Sequence, residues 1–126
     1  MMVDYSATHA EIDAAGVIRL RFQLHNRTRE TWDAGGPLAL GWQIFDPENG
    51  LFITEGEWTK LSRDIAPNAC GEIDLKIELP AAHARYRVYV SPIDQRHGWF
   101  YLRNDPMLAV DTRPGIASVR KTTLRR

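Results

Sequence analysis

Several features that would assign a protein class at once are missing from this sequence. It has a single cysteine, Cys70, so no disulfide can close within the chain. No apolar run approaches the ~18 residues of a membrane-spanning helix, and the first residues lack the basic and apolar regions of a secretion signal. With 126 residues, the chain is therefore expected to form one domain with no transmembrane segment. A reducing compartment, the cytoplasm, is the predicted location.

Sequence signatures of catalysis and cofactor binding are missing as well. There is no GxSxG, P-loop or GxGxxG motif, and Cys70 lies in a turn with no neighbouring base. The pair Glu55 and Glu57 is typical of solvated charges at a strand edge. Four histidines are scattered without the spacing of metal ligands: His9, His25, His83 and His97. We therefore expect a protein that is not an enzyme and holds no cofactor or metal.

Charge is distributed unevenly along a chain whose net charge is zero. Residues 1–111 contain all 16 acidic and 11 of the 16 basic residues, whereas residues 112–126 contain five basic residues and no acidic one. An acidic body argues against a nucleic-acid surface. We interpret 1–111 as the folded domain and 112–126, which includes Pro114 and Gly115, as a basic tail or linker. Such a tail would either lead to a neighbouring domain or attract an anionic partner.

The dominant pattern along the chain has a period of two residues. In "VIRLRFQL" (17–24) and "GEIDLKIEL" (71–79), apolar and polar residues alternate, which is typical of half-buried antiparallel strands. Further strands are predicted at 3–12, 37–45, 50–54, 56–61, 84–90, 98–103 and 107–111. Turns rich in Gly, Pro and Asn separate them. The sequence therefore predicts an all-β fold, an Ig-like antiparallel β-sandwich of about eight or nine strands.

A series of short motifs resembles a known group of domains: "LHNRTRETW", "GGPLALGWQIFDPENG", "EGEWTKL", "DIAPNACGEIDLKIELP", "ARYRVYV" and "GWF". Their order is similar to that in small Ig-like β-sandwich domains attached to bacterial polysaccharide-assembly proteins, beside glycosyltransferases. The C-terminal carbohydrate-binding domain of O-antigen ABC transporters is a looser match. The chain departs from the pattern at Pro67-Asn68, where Pro-Gly is usual, and at Ala84, where Gly is common. The resemblance implies non-catalytic recognition of a surface polysaccharide, of O-antigen or capsule type, or of its biosynthetic intermediate.

The neighbours of each aromatic residue in the sequence predict whether its side chain lies in the core or at the surface. Trp42 shares a side with Leu38, Leu40 and Ile44, which predicts a core position, and Trp32 is predicted to cap the sandwich. In "GWFYLR", Phe100 and Leu102 form an apolar side. Strand alternation therefore places Trp99 and Tyr101 outward.

Outward-facing aromatic and polar residues form the candidate binding surface, because a pyranose stacks its C–H face on an aromatic ring while polar side chains hydrogen-bond its hydroxyls. The predicted ligand-binding residues are Trp99, Tyr101, Tyr89, Arg87, Gln43 and Trp58. For Trp58, alternation allows either a position beside Lys60 or, through a bulge, the core. An aromatic face would also pack against a second subunit or an adjoining domain of a parent protein. The residues alone leave glycan binding and docking open, and the resemblance favours the glycan.

Overall fold

The computed structural model describes residues 1–124, which form two packed antiparallel β-sheets. The strands are β1 (Val3–Ile12), β2 (Val17–Asn26), β3 (Leu38–Phe45), β4 (Phe52–Glu55), β5 (Thr59–Lys60), β6 (Cys70–Glu78), β7 (Tyr86–Asp94), β8 (Gly98–Trp99), β9 (Met107–Arg113) and β10 (Ile116–Thr122). A short 3-10 turn, Phe100–Arg103, lies between β8 and β9. Within residues 1–124, no helix has the length and apolar character that crossing a bilayer requires.

The order of the strands is that of an immunoglobulin-like sandwich. The smaller sheet has the order β1-β2-β6, and the larger has the order β10-β9-β7-β3-β4, with β5 paired to β3 and β8 paired to β7. These orders correspond to strands A-B-E and G-F-C-C′ of Ig-type sandwiches, with β10 added beside the last strand. The predicted all-β, Ig-like fold is confirmed.

The alternation in the sequence sets which face of each strand is buried. Between β2 and β6, Ile18 lies opposite Ile77 and Leu20 lies opposite Leu75, and all four side chains are buried. Across the sandwich, β3 and β7 contribute buried side chains such as Ile44 to the same core. Because each such side chain stabilises the fold by roughly 1.5 to 3 kcal/mol when fully buried, a register shift of one residue would be strongly unfavourable.

The C-terminal region differs from the sequence prediction. Strand β9 continues to Arg113, and β10 pairs with it along its whole length after a turn in which Gly115 has φ +80°. Ala117 and Val119 pack against the core, and Lys121 Nζ donates to Asp4 Oδ1 at 2.8 Å. The prediction that 112–126 is a tail outside the folded domain is therefore wrong for β10, while residues 125 and 126 lie outside the described part. An edge strand covers little core, so its apolar pattern is weak.

The predicted strand at 98–103 is also shorter than expected. Strand β8 ends at Trp99, and the 3-10 turn that follows ends at Asn104, which has φ 67°. Phe100 is buried and packs edge-on against Trp32, with ring centroids 6.2 Å apart, so the predicted core position of Trp32 is confirmed. Leu102 is 50% exposed, contrary to the prediction that it faces the core with Phe100. With three residues per turn, a 3-10 segment does not alternate between two faces.

The segment after this turn is fastened to the opposite sheet. The buried carboxylate of Asp105 accepts hydrogen bonds from the backbone N–H groups of Met2 (2.6 Å) and Val3 (3.2 Å). Tyr5 Oη donates to the carbonyl of Pro106 at 2.9 Å, and burial raises the pKa of Tyr5, which favours this protonated donor. These contacts tie the segment that carries Trp99 and Tyr101 to strand β1.

Candidate functional site

The candidate site lies on the outer face of the larger sheet, the side of β3, β7 and β9 that points away from the core. Gln43 lies directly opposite Tyr89 on one side and Glu55 on the other, so these three side chains form a row across the sheet. Tyr101 Oη donates to Gln43 Oε1 at 3.0 Å, which places its ring beside this row. Burial, and secondarily the charge of Glu55, raise the pKa of Tyr101. The phenol is thus a neutral donor at the centre of the face.

An aromatic cluster continues this face toward the edge strand. Phe45 lies opposite Phe52, and their ring centroids are 5.7 Å apart. Phe45 also contacts Tyr89, with 5.3 Å between centroids. Between Ile44 and Phe45, the pairing of β3 with β4 contains an irregularity of one residue. Such a bulge bends an edge strand and changes the direction of its side chains.

The charged part of the outer face is an ion-pair cluster on β7, β9 and β10. Arg87 lies opposite Asp111, and Arg87 Nε is 2.7 Å from Asp111 Oδ1. Arg120 contacts the other carboxylate oxygen. Burial of Asp111 acts to raise its pKa, but the hydrogen bonds from the two arginines outweigh this effect and lower the pKa. Arg87 is therefore held in position by Asp111, and its side chain is still partly exposed on the face.

Two tryptophans meet above Gly41, which has no side chain to fill the space. A Cβ atom added to Gly41 would lie 2.6 Å from Trp99 Cη2 and 3.3 Å from Trp58 Cδ1. The Trp99 and Tyr101 ring centroids are 5.5 Å apart, with an interplanar angle of 50°. Trp58 is 42% exposed, and its Nε1 lies 3.5 Å from Glu55 Oε1. The structure thus decides between the two positions open to Trp58: it lies on the outer face.

The structure brings all six predicted residues onto one face and adds others. Four of the six, Gln43, Arg87, Tyr89 and Tyr101, line a groove of about 300 Å³, at the lower end of the size range of ligand sites, whereas Trp58 and Trp99 lie outside its lining. Its lining includes Gln43, Phe45, Arg87, Tyr89, Tyr101, Leu102, Met107 and Leu124. The outward side of β3 in the sequence already indicated Phe45. Three other residues had no such signal in the sequence. Leu102 lies within the 3-10 turn, Leu124 lies in the predicted tail, and Glu55 is brought to the face by the pairing of β4 with β3.

Two larger depressions lie elsewhere and differ in chemistry. One, of about 540 Å³, is lined by residues of the smaller sheet that include the ion pair of Arg19 with Asp74. The other, of about 570 Å³, is lined by residues 61–65 and 70–74. Neither has an aromatic residue in its lining. Of these three depressions, only the groove on the outer face of the larger sheet is lined by aromatic rings on which a ligand can stack.

In the described part of the chain, no group of three or more His, Cys, Asp or Glu side chains is arranged to hold a metal ion. No protein-family model matches this chain, and no curated protein matches it in sequence. The likeness to polysaccharide-assembly domains therefore stays a prediction.

Proposed function

We propose that this chain is a non-catalytic carbohydrate-binding domain. It recognises a bacterial surface polysaccharide of O-antigen or capsule type, or a biosynthetic intermediate, as an accessory part of a cytoplasmic polysaccharide-assembly protein. The observation that supports this most directly is the group formed by Trp58, Trp99 and Tyr101 above Gly41. Gln43 and Glu55 border this group.

The arrangement fits the two-sided chemistry of a sugar ring. A pyranose has an apolar face of C–H groups, which stacks on an aromatic ring, and a rim of hydroxyls, which need hydrogen-bonding partners. Trp99 and Tyr101 are partly exposed and supply rings. The amide of Gln43 and the guanidinium of Arg87 supply acceptors and donors within the same face.

The dimensions of the face suit a chain of sugars. From β4 to β9 there are three strand spacings, or about 14 Å at ~4.8 Å each. Aromatic side chains lie at the β4 end and the Arg87–Asp111 pair lies at the β9 end. A ligand with several rings can contact both ends, whereas a monosaccharide can contact only one, so oligosaccharides should bind more tightly than their monomers.

Replacement of Trp99 by Ala tests the proposal. Loss of one aromatic contact should weaken binding of the cognate polysaccharide by about 1 to 2 kcal/mol, or about five- to thirtyfold. The melting temperature should change little, because Trp99 is partly exposed. Gln43→Ala and Arg87→Ala should weaken binding less, since each hydrogen bond to a sugar replaces one to water and contributes only about 0.5 to 1.5 kcal/mol. Titration followed by tryptophan fluorescence measures all three.

Two results would contradict glycan binding. One is a wild-type chain that binds none of a panel of O-antigen and capsular polysaccharides, including those of its own host. The other is a Trp99→Phe variant, which keeps an aromatic ring and should remain folded, that binds no better than Trp99→Ala. In that case ring stacking at this position contributes nothing. If Trp99→Ala does not fold, Trp99→Phe is compared with the wild type instead, and a folded phenylalanine variant that has lost all binding contradicts ring stacking at this position.

A structural role in docking or dimerisation is the second candidate, and the edge strand favours it. Leu51, Phe52 and Ile53 are 65%, 54% and 41% exposed, and β4 is the last strand of its sheet within residues 1–124. Exposed apolar edges are prone to pair with other chains. Sedimentation analysis of the wild type and of Phe52→Lys separates the two roles. A dimer that the substitution dissociates, in a chain that binds no glycan, would support docking.

A further inference from the structure

The aromatic end of the outer face contains a carboxylate with no cationic partner. Glu55 lies opposite Gln43, and its Oε1 is 3.5 Å from Trp58 Nε1. Among residues 1–124, no lysine, arginine or histidine lies within ion-pair distance of this carboxylate. The charge of Glu55 is therefore left uncompensated beside the rings.

The cations on this face are engaged elsewhere. Lys60, on β5, lies opposite Ala39, and its Nζ donates to the carbonyl of Gly36 at 2.6 Å. Arg87 is paired with Asp111, with 2.7 Å between Nε and Oδ1. A cation supplied by a ligand would thus face little competition from the protein for Glu55.

The rings add to the attraction for a cation. The faces of aromatic rings carry negative potential, and tryptophan is the strongest of the aromatic side chains in cation–π contacts. Trp58 and Trp99 approach each other above Gly41, and Tyr101 lies next to Trp99. A carboxylate by itself would accept hydrogen bonds from neutral hydroxyls equally well, but a carboxylate combined with three ring systems favours an ammonium group.

We propose that the end of the face formed by Glu55, Trp58 and Trp99 binds a protonated amine, so that the preferred ligand is a polysaccharide containing amino sugars with a free amino group. This inference rests on the proposed carbohydrate-binding function and specifies its ligand class. The amine pairs with the Glu55 carboxylate and contacts the face of a neighbouring ring, while the sugar ring stacks along the adjoining aromatic surface. N-acetylation removes the positive charge and therefore weakens binding.

The test compares three oligosaccharides of equal length, built from glucosamine, from N-acetylglucosamine and from glucose. The full chain is titrated at about pH 6, where amines are protonated and carboxylates are ionised. We expect the glucosamine oligomer to bind about five- to tenfold more tightly than the N-acetylated one, since an exposed cation–π contact and an exposed ion pair each contribute modestly. Glu55→Gln should reduce this preference to about two- to threefold, because the ion pair is lost while the cation–π contact remains.

A matched variant controls for overall charge. Glu78 lies on β6 in the smaller sheet and is exposed, so Glu78→Gln removes the same charge far from the rings and should keep the full preference for the amine. The preference should also decrease as salt is raised, because exposed charges are screened.

The outcomes separate this inference from the proposed function. A wild-type chain that binds the free-amine and N-acetylated oligomers equally overturns the inference and leaves carbohydrate binding intact. A preference that is undiminished in Glu55→Gln also overturns it. Binding of ethylammonium as tight as that of the glucosamine oligomer overturns the assignment of the amine to a sugar. A chain that binds none of the three oligosaccharides, nor any polysaccharide of the broader panel, contradicts the proposed function itself.

Discussion

Substitution of Gly41 by Ala is expected to disturb the aromatic group without changing any aromatic residue. Gly41 is in the middle of β3 and does not have a positive φ, so its backbone accepts alanine. The added Cβ would lie 2.6 Å from Trp99 Cη2 and 3.0 Å from Cζ3. Carbon atoms prefer separations of roughly 3.5 to 4.0 Å, so the tip of the indole must move outward by about 1 Å.

The magnitude follows from how freely Trp99 can move. Its ring is partly exposed and β8 has only two residues, so the displacement should cost about 1 kcal/mol of folding free energy, the low end for overpacking. Glycan binding also depends on the position of the Trp99 ring and should weaken as well. If most of one stacking contact is lost, the affinity for the cognate glycan falls by about 1 kcal/mol, or about fivefold.

Gly56→Ala is the matched comparison. A Cβ at Gly56 would lie 2.0 Å from Trp42 Nε1, and Trp42 packs against the core. This substitution should therefore destabilise the fold by about 2 to 3 kcal/mol, the upper part of the same range. Chemical denaturation gives both free energies of unfolding, and fluorescence titration gives the affinities. The reasoning is refuted if Gly41→Ala destabilises the fold as much as Gly56→Ala, or if it binds the glycan with wild-type affinity.

Three further predictions concern the core, the C-terminal strand and pH. Trp42→Ala should lower the free energy of unfolding by about 3 kcal/mol, the low end for such changes because the ring is only partly buried, and an unchanged denaturation midpoint would show that it packs poorly. Truncation after Arg113 removes β10 and exposes the edge of β9, so the shortened chain should melt earlier and aggregate, whereas an unchanged melting temperature would mean that β10 contributes little. Burial opposes ionisation of Asp111, but its arginine partners lower its pKa, so the folded state should lose stability as the pH falls from about 4 through the lowered pKa. Asp111→Asn should give a flatter acid-denaturation curve, and an equally steep curve would exclude a contribution from this carboxylate.

Strand alternation in the sequence predicts most of the fold and also the face of the strands on which the candidate site lies. From Ile18 to Leu24 in β2 and from Glu72 to Glu78 in β6, apolar and polar residues alternate without interruption, and that pattern is sufficient to define a buried and an exposed face. The same alternation predicts that Gln43, Arg87 and Tyr89 point away from the core, and strand pairing places Gln43 directly opposite Tyr89. Local pattern is informative here because the direction of a strand side chain depends only on its own position along the strand.

Other features depend on contacts between distant residues, and only the tertiary structure decided them. The 3-10 turn at Phe100–Arg103 replaces the expected strand as the chain turns toward β9, where Asp105 and Pro106 are bound by β1. Strand β10 is added because β9 offers a free edge, although its own sequence has little apolar pattern. Glu55 reaches the tryptophans through the pairing of β4 with β3. Periodicity determines which way a side chain points, whereas long-range pairing and packing determine which side chains meet.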